Sequence, residues 1–256
     1  MKDLSSYRFV VIDSFYDTVN DSDAREWLGK LFQFKVNSYR GSYPYGIMPF
    51  GSTDLIGANW ILCRESGSTL VPIMGLKTIE SKRTEKFRMD FPAFAMLSEP
   101  GHVLHREAIQ HELTKASSTK RGLGFVGSWT IDPIIRRDAS LSDFCRKVTS
   151  AFISYWVDVY DIQSAIAFAI LKFHVDEFHS YLGMTSLLTP EGKPLPHFNP
   201  AATFGELTRV SILRRKSQSI ACIQDAKDLA SLWERRIIIA SPDSPLKQND
   251  TYDQAA

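Results

Sequence analysis

Residues Ala165–Leu171 (AIAFAIL) form an apolar run with no polar interruption. A strand with one face in water alternates polar and apolar side chains, whereas a strand covered on both faces loses that alternation. The run has strand length, so it predicts a buried strand in a sheet with helices on both faces. The neighbouring segments read as both strands and helices. Gly124–Ile131 (GFVGSWTI) predicts a strand ended by Asp132-Pro133, and Ser140-Leu141-Ser142-Asp143 predicts the capped start of a long amphipathic helix reaching about Tyr160. Val175–Gly183 (VDEFHSYLG) predicts a short helix closed by Gly183, the residue best suited to the left-handed position past a helix end.

Upstream, Arg8–Ile12 (RFVVI) reads as a short strand, and Asn20-Asp21-Ser22-Asp23 offers N-caps for a helix over about residues 23–40. In that helix Trp27, Leu28, Leu31, Phe32, Phe34 and Lys35 recur at helical spacing. Gly41–Ser52 (GSYPYGIMPFGS) is rich in Gly, Pro and aromatics, which suits a loop lining a site. Ala58–Arg64 and Thr69–Ile79, joined by Glu65-Ser66-Gly67-Ser68, predict a β-hairpin, in which Pro72 and Gly75 require an edge, a bulge or a bend. Phe91–Leu97 and His105–Ala116 read as shorter helical segments, Glu206–Leu213 as a half-buried strand and Asp225–Arg235 as a helix. The low apolar content of Ser241–Ala256 predicts a mobile polar tail after a single domain over residues 1–240.

Composition removes whole classes of function. The chain has 256 residues, and its 30 Lys+Arg against 29 Asp+Glu leave no net field to recruit nucleic acid or an anionic membrane. Its apolar runs fall far short of the roughly 20 residues a membrane-spanning helix needs. The start, Met1-Lys2-Asp3-Leu4, lacks signal-peptide character, and Cys63, Cys145 and Cys222 form no CxxC pair, so a reducing, cytoplasmic location is expected.

Motifs exclude more. His102, His105, His111 and Glu112 make no HExxH pair, so they read as solvated or capping residues and no metal is expected. Cys63 and Cys145 sit in apolar settings where a thiol behaves as a small hydrophobe. Neither GxxxxGK[ST], GxGxxG nor GxSxG occurs, which sets aside P-loop, dinucleotide and serine-hydrolase chemistry. What remains is an order: strand, loop with Arg136-Arg137, capped helix, buried strand, short helix. Helix N-termini that emerge just after a strand attract phosphate, because unpaired N–H groups and the helix dipole point at it. Arg136, Arg137 and the amides from Asp138 to Leu141 thus form a candidate pyrophosphate site.

This order resembles the GNAT acyltransferase superfamily over about residues 55–215. ANWILCR and TLVPIMGLKTI resemble its antiparallel hairpin, GFVGSWTIDP its central strand, the helix from Ser140 the one receiving coenzyme A phosphates, and AIAFAIL the next parallel strand. FHSYLGM stands where the family has its tyrosine acid and a glycine. The family's phosphate loop carries glycines, but Arg136–Leu141 here reads RRDASL; counting back from Gly183 gives His179, rather than Tyr181, the acid's usual position. A looser similarity, through Leu31–Lys35, Tyr39-Arg40, Asp54 and Gly75–Thr78, points to the acyl-homoserine-lactone synthases and N-acyl amino acid synthases.

The resemblance implies a GNAT-like, mostly antiparallel mixed sheet with helices on both faces and a splayed parallel strand pair. It implies an N-acyltransferase moving an acyl group from acetyl-CoA, a longer acyl-CoA or an acyl carrier protein to a small-molecule amine or amino-acid acceptor. Thr130 or Ile131 would offer a backbone N–H to the thioester carbonyl; Arg136, Arg137 and Ser140 would hold the carrier; Tyr181 or His179 would protonate the leaving thiolate. Asp132 is a candidate base, with Glu112 or a relayed water as alternatives. Tyr39, Arg40, Tyr43, Tyr45 and Asp54 are candidates for the acceptor or acyl pocket. The competing class is a GNAT-like module that binds a ligand or protein without turnover, which the missing loop glycines favour.

Overall fold

A computed structural model describes residues 3–40, 50–200, 203 and 205–248; Tyr43 and Tyr45 lie outside them. The strands are β1 (Tyr7–Asp13), β2 (Ala58–Ser66), β3 (Thr69–Glu80), β4 (Gly122–Ile131), β5 (Ile162–Ile170), β6 (Thr185–Ser186), β7 (Thr208–Arg214) and β8 (Ile237–Ala240). The helices are α1 (Ser22–Arg40), α2 (Ser52–Ile56), α3 (Ser81–Lys86), α4 (Val103–Ser118), α5 (Pro133–Arg137), α6 (Ala139–Val159), α7 (Val175–Leu182), α8 (Ile220–Asp228) and α9 (Ala230–Glu234). The strands bond in the order β6-β7-β5-β4-β3-β2-β1-β8. Pairs β1–β2, β2–β3, β5–β7 and β6–β7 are antiparallel, while β4–β5 and β1–β8 are parallel. This is the mixed, mostly antiparallel α+β sheet that the family resemblance implies.

The chain divides into two units, Met1–Thr78 with Ser128–Phe152 and Asp225–Ala256, and Ile79–Gly127 with Ile153–Gln224. In the first, side-chain alternation along β1 decides which helix covers which face. Val10 and Ile12, with Ile61 and Cys63 of β2 and Ile239 of β8, pack on Ala24, Trp27, Leu31 and Phe34 of α1. Phe9 points the other way, its ring 4.2 Å from Phe152 of α6, and Trp60 lies 5.4 Å from Phe152 and 6.0 Å from Trp233 of α9. Helices therefore cover both faces of these strands. Each large side chain buried in these layers contributes roughly 1.5–3 kcal/mol.

Pro72 and Gly75 are accommodated by a bulge. Register passes from Leu62↔Met74 to Cys63↔Pro72, so Ile73 is one residue too many for its partner strand. Its carbonyl accepts the N–H of Asp132 at 3.0 Å. The bulge thus fixes the end of β4.

In the second unit β5 pairs with β4 on one side and with β7 on the other. α7 ends at Gly183, φ 88°, as its sequence predicts. A Cβ at Gly183 would lie 2.2 Å from the backbone oxygen of Ser217, so glycine is required there by space as well as by conformation.

Several expectations change. The cap of α6 is Asp138, whose carboxylate accepts from Leu141 N–H at 3.0 Å; Ser140 lies inside the first turn. The segment expected as one helix over Asp225–Arg235 is two, α8 and α9, and α8 begins earlier, at Ile220. Phe91–Leu97 winds as a 3₁₀ helix over Pro92–Leu97. His102 and His105 are buried rather than solvated: Phe198 packs against both rings, 4.9 and 4.7 Å away, and the carbonyl of Pro196 meets His105 Nε2 at 2.9 Å. β8 had no counterpart in the sequence reading. Within the stretch read as a tail, Ser244 Oγ donates to Asp13 Oδ2 at 2.5 Å and Leu246 is buried.

Candidate active site

Pairing between β4 and β5 runs from Gly122↔Ile162 to Val126↔Ala167 and stops there. β5 keeps its other neighbour to the end, through Phe168↔Val210, Ala169↔Arg209 and Ile170↔Thr208. β4 runs on to Ile131, with Ser128 at φ 54°, and its exit is tied to the bulge of β3 through Asp132 N–H. A positive φ on a non-glycine residue within a strand costs about 1 kcal/mol or more. The parallel ladder therefore ends at Val126↔Ala167, and backbone that leaves a ladder turns its donors and acceptors to other partners.

Past that point, β4, α5 with its cap and the start of α6 carry Thr130, Ile131, Asp132, Arg136, Arg137 and Ser140. Thr130 and Ile131 are buried, and Thr130 Oγ1 donates to the carbonyl of Ser128 at 3.0 Å. Asp132 caps α5, its carboxylate accepting from Ile134 N–H at 2.7 Å and Ile135 N–H at 3.4 Å. Arg136 and Arg137 are exposed, and Arg136 donates to the carbonyl of Ser38 at 3.3 Å, joining α5 to the last turn of α1. Ser140 is exposed in the first turn of α6. The cations face solvent as an anion site requires, while Asp132 and Asp138 use their carboxylates on helix-start amides.

In the second unit, α7 presents its two candidate acids differently. His179 is buried, and its pKa is pushed down to about 4, chiefly by desolvation and then by the Arg209 cation, with Asp176 partly offsetting. It is therefore neutral near pH 7. Tyr181 is 37% exposed and stacks on Phe178 with ring centroids 6.2 Å apart.

A third group was only half legible in the sequence. Asp54, in the first turn of α2, is completely buried; its Oδ1 takes Lys35 Nζ of α1 at 2.6 Å and its Oδ2 takes Lys77 Nζ of β3 at 2.8 Å. Oδ2 also accepts Gly51 N–H at 2.9 Å, Lys77 Nζ donates to Thr53 Oγ1 at 2.7 Å, and Asn59 Nδ2 donates to the Asp54 carbonyl at 2.8 Å. Burial alone would raise the Asp54 pKa, but Lys35 and Lys77 together outweigh it and hold the carboxyl below its ordinary value. Burial, with the Lys77 cation adding to it and Asp54 opposing, lowers the Lys35 pKa, so Lys35 is the member of the group that can give up its proton. Tyr39 is half-buried and Arg40 exposed in the last turn of α1, beside this group in sequence. The readable signal was a lysine at a core-facing position of an apolar stripe, as at Lys35, and a lysine inside an apolar strand, as at Lys77. Among the described residues no three side chains are grouped to hold a metal ion, and no described helix is long and apolar enough to cross a membrane.

No protein-family model matches the chain, and no curated protein matches it in sequence. Solved structures do match. BjaI, a CoA-dependent acyl-homoserine lactone synthase in complex with SAM and isopentyl-CoA, aligns with a TM-score of 0.55 at 12% identity over 96% of this chain and 99% of that one. The chain has a GNAT-like fold. The acyl-homoserine lactone synthase LasI shares it, with a TM-score of 0.51 at 10% identity over 85% of this chain and 94% of its own.

Proposed function

We propose that the protein is an N-acyltransferase that moves an acyl group from a thioester carrier, coenzyme A or acyl carrier protein, to a small amine or amino-acid acceptor. The observation that carries this reading is the end of the β4–β5 ladder at Val126↔Ala167, while β5 keeps its pairing with β7 to Ile170. BjaI, of like fold, is CoA-dependent and was captured with SAM and isopentyl-CoA, which supports a thioester donor paired with an amine-bearing acceptor.

In this reading the backbone N–H of Thr130 or Ile131 donates to the thioester oxygen as charge develops on it. Arg136 and Arg137, with Ser140 beside them, supply cations and a hydroxyl for the carrier's phosphates. Tyr181, the more accessible of the two candidate acids, protonates the departing thiolate; His179, held neutral by burial, packs the helix that presents it. Asp132 is committed to capping α5, so it acts by placing Arg136. Asp54 likewise acts by position, setting Lys77 and Lys35, while Tyr39 and Arg40 lie toward the acceptor. Coenzyme A at saturating concentration should raise the melting temperature of the wild-type protein, and the Arg136→Ala/Arg137→Ala double variant should lose most of that rise. Thiol release from acetyl-CoA with a panel of amines then tests turnover; Tyr181→Phe should slow it about 10²-fold with little change in KM.

One observation favours a second reading, a GNAT-like binding module without turnover. The carboxylates of Asp132 and Asp138 occupy amides that a pyrophosphate would use. Absence of any stabilisation by coenzyme A or acetyl-CoA would favour the module.

A further inference from the structure

Aromatic rings line both faces of the β4–β5 ladder in the second unit. On one face Phe125 of β4 lies 5.9 Å from Phe168 of β5, Phe168 lies 5.8 Å from Phe198, and Phe91 stands edge-on to Phe125 at 6.2 Å. The Phe125 ring folds back over the next step of its own strand, for a Cβ at Gly127 would meet its Cε1 at 2.8 Å. The other face is covered by Trp156 of α6, which is fully buried; a Cβ at Gly124 would fall 2.1 Å from its Cη2. The residues paired there, Gly124 with Ala165 and Val126 with Ala167, are mostly small, which leaves the space to the indole. Phe168 is the first residue of β5 past the last pair of the ladder.

Resting on the acyltransferase reading above, we infer that the protein is selective for a short acyl donor, with Phe125, Phe168 and Trp156 setting the limit. A strand rises about 3.3 Å per residue, so an acyl group entering the ladder at its open end meets the Phe168 ring within about one residue's length, room for about four carbons or fewer. A longer chain would have to displace rings that already touch one another, and a close-packed interior resists even one additional methylene. Phe198 sets the limit indirectly, as a positioning residue that backs Phe168 and is itself held between His102 and His105.

The test is direct binding of acetyl-, butyryl-, hexanoyl- and decanoyl-coenzyme A to the full chain by calorimetry, followed by kcat/KM for each with any amine that supports thiol release. Acetyl and butyryl donors should bind and react comparably, and the decanoyl donor should be at least about tenfold poorer by both measures. Phe168→Ala should improve the decanoyl donor at least about tenfold relative to acetyl, and Phe125→Leu should do so more weakly. If Phe168→Ala lacks a cooperative melt, Phe168→Leu carries the same comparison. A wild-type protein that takes decanoyl as well as butyryl, or folded variants with an unmoved length profile, would overturn the short-donor inference and leave acyl transfer standing. Failure of all four donors to bind would overturn acyl transfer from coenzyme A, and the inference with it; this result is distinct because it affects short and long chains alike.

Discussion

A lysine ammonium taken out of water needs an anion beside it or it gives up its proton. Lys35 and Lys77 share the single carboxylate of Asp54, so this one residue answers for two buried cations. Asp54→Ala should destabilise the fold by about 3–5 kcal/mol in urea titrations, because it leaves two buried lysine head groups without their shared acceptor, each to stay charged or lose its proton at a cost. Asp54→Asn keeps a hydrogen-bond acceptor for Gly51 N–H and should recover only a minor part. The folded pKa of Asp54 is below its unfolded value, so its contribution is complete above the unfolded carboxylate pKa and is lost as pH falls through the folded one. His179 acts over a higher window. Its folded pKa of about 4 lies below the unfolded 6.5, so the unfolded chain binds a proton there before the folded one does. Stability should therefore fall as pH drops from 6.5 toward 4, by on the order of 3 kcal/mol at most from this residue. Equilibrium unfolding across that range should show a shallower slope in His179→Gln. A residual slope is expected there, because burial also lowers the pKa of His105.

Among the elements, α7 depends most visibly on its closing residue. Gly183→Ala should cost more than the roughly 1 kcal/mol of a simple helix substitution, since the added methyl would meet the backbone of Ser217 and Ser219, which cannot swing aside. Differential melting of this variant against Ser180→Ala, on the exposed side of the same helix, would measure the difference. The elements that sequence made legible are those whose signal is local. Ala165–Leu171 predicted β5, which runs Ile162–Ile170: it starts earlier because Ile162 already pairs with Gly122 and Ser164 with Arg214, and ends where Leu171 opens a 3₁₀ turn. Gly183 and the hairpin of β2 and β3 were legible for the same reason. Asp138 and Ser140 are both good caps two residues apart, and composition does not choose between them. β8 is four residues long, too short for a period to register, and becomes a strand only because β1 offers a parallel edge. The charge group was illegible for a different reason: it gathers α1, α2 and β3, and no local pattern announces which distant lysine a buried aspartate will meet.

At the scale of the whole molecule, all three cysteines are buried thiols, and burial pushes the Cys63 thiol up to about 12. A thiol reagent such as DTNB should leave the native protein essentially unlabelled and titrate all three thiols after denaturation, and the melting temperature should be the same with and without reductant. Rapid labelling of the native chain would show that one of these side chains is accessible in solution. The thiols thus report on unfolding itself, which makes them a convenient probe for the stability variants above.

Ile73 has one further implication. Side chains along a strand point to alternate sides, so an added residue exchanges the two sides for everything that follows it. Downstream of Ile73 the odd and even positions of β3 have swapped roles relative to an unbulged strand, and Lys77 reaches Asp54 only in this swapped phase. The ion group of the first unit and the anchoring of β4 through Asp132 therefore share one origin, a single surplus residue whose removal would turn a lysine away from its carboxylate and leave the end of a neighbouring strand untethered in the same stroke.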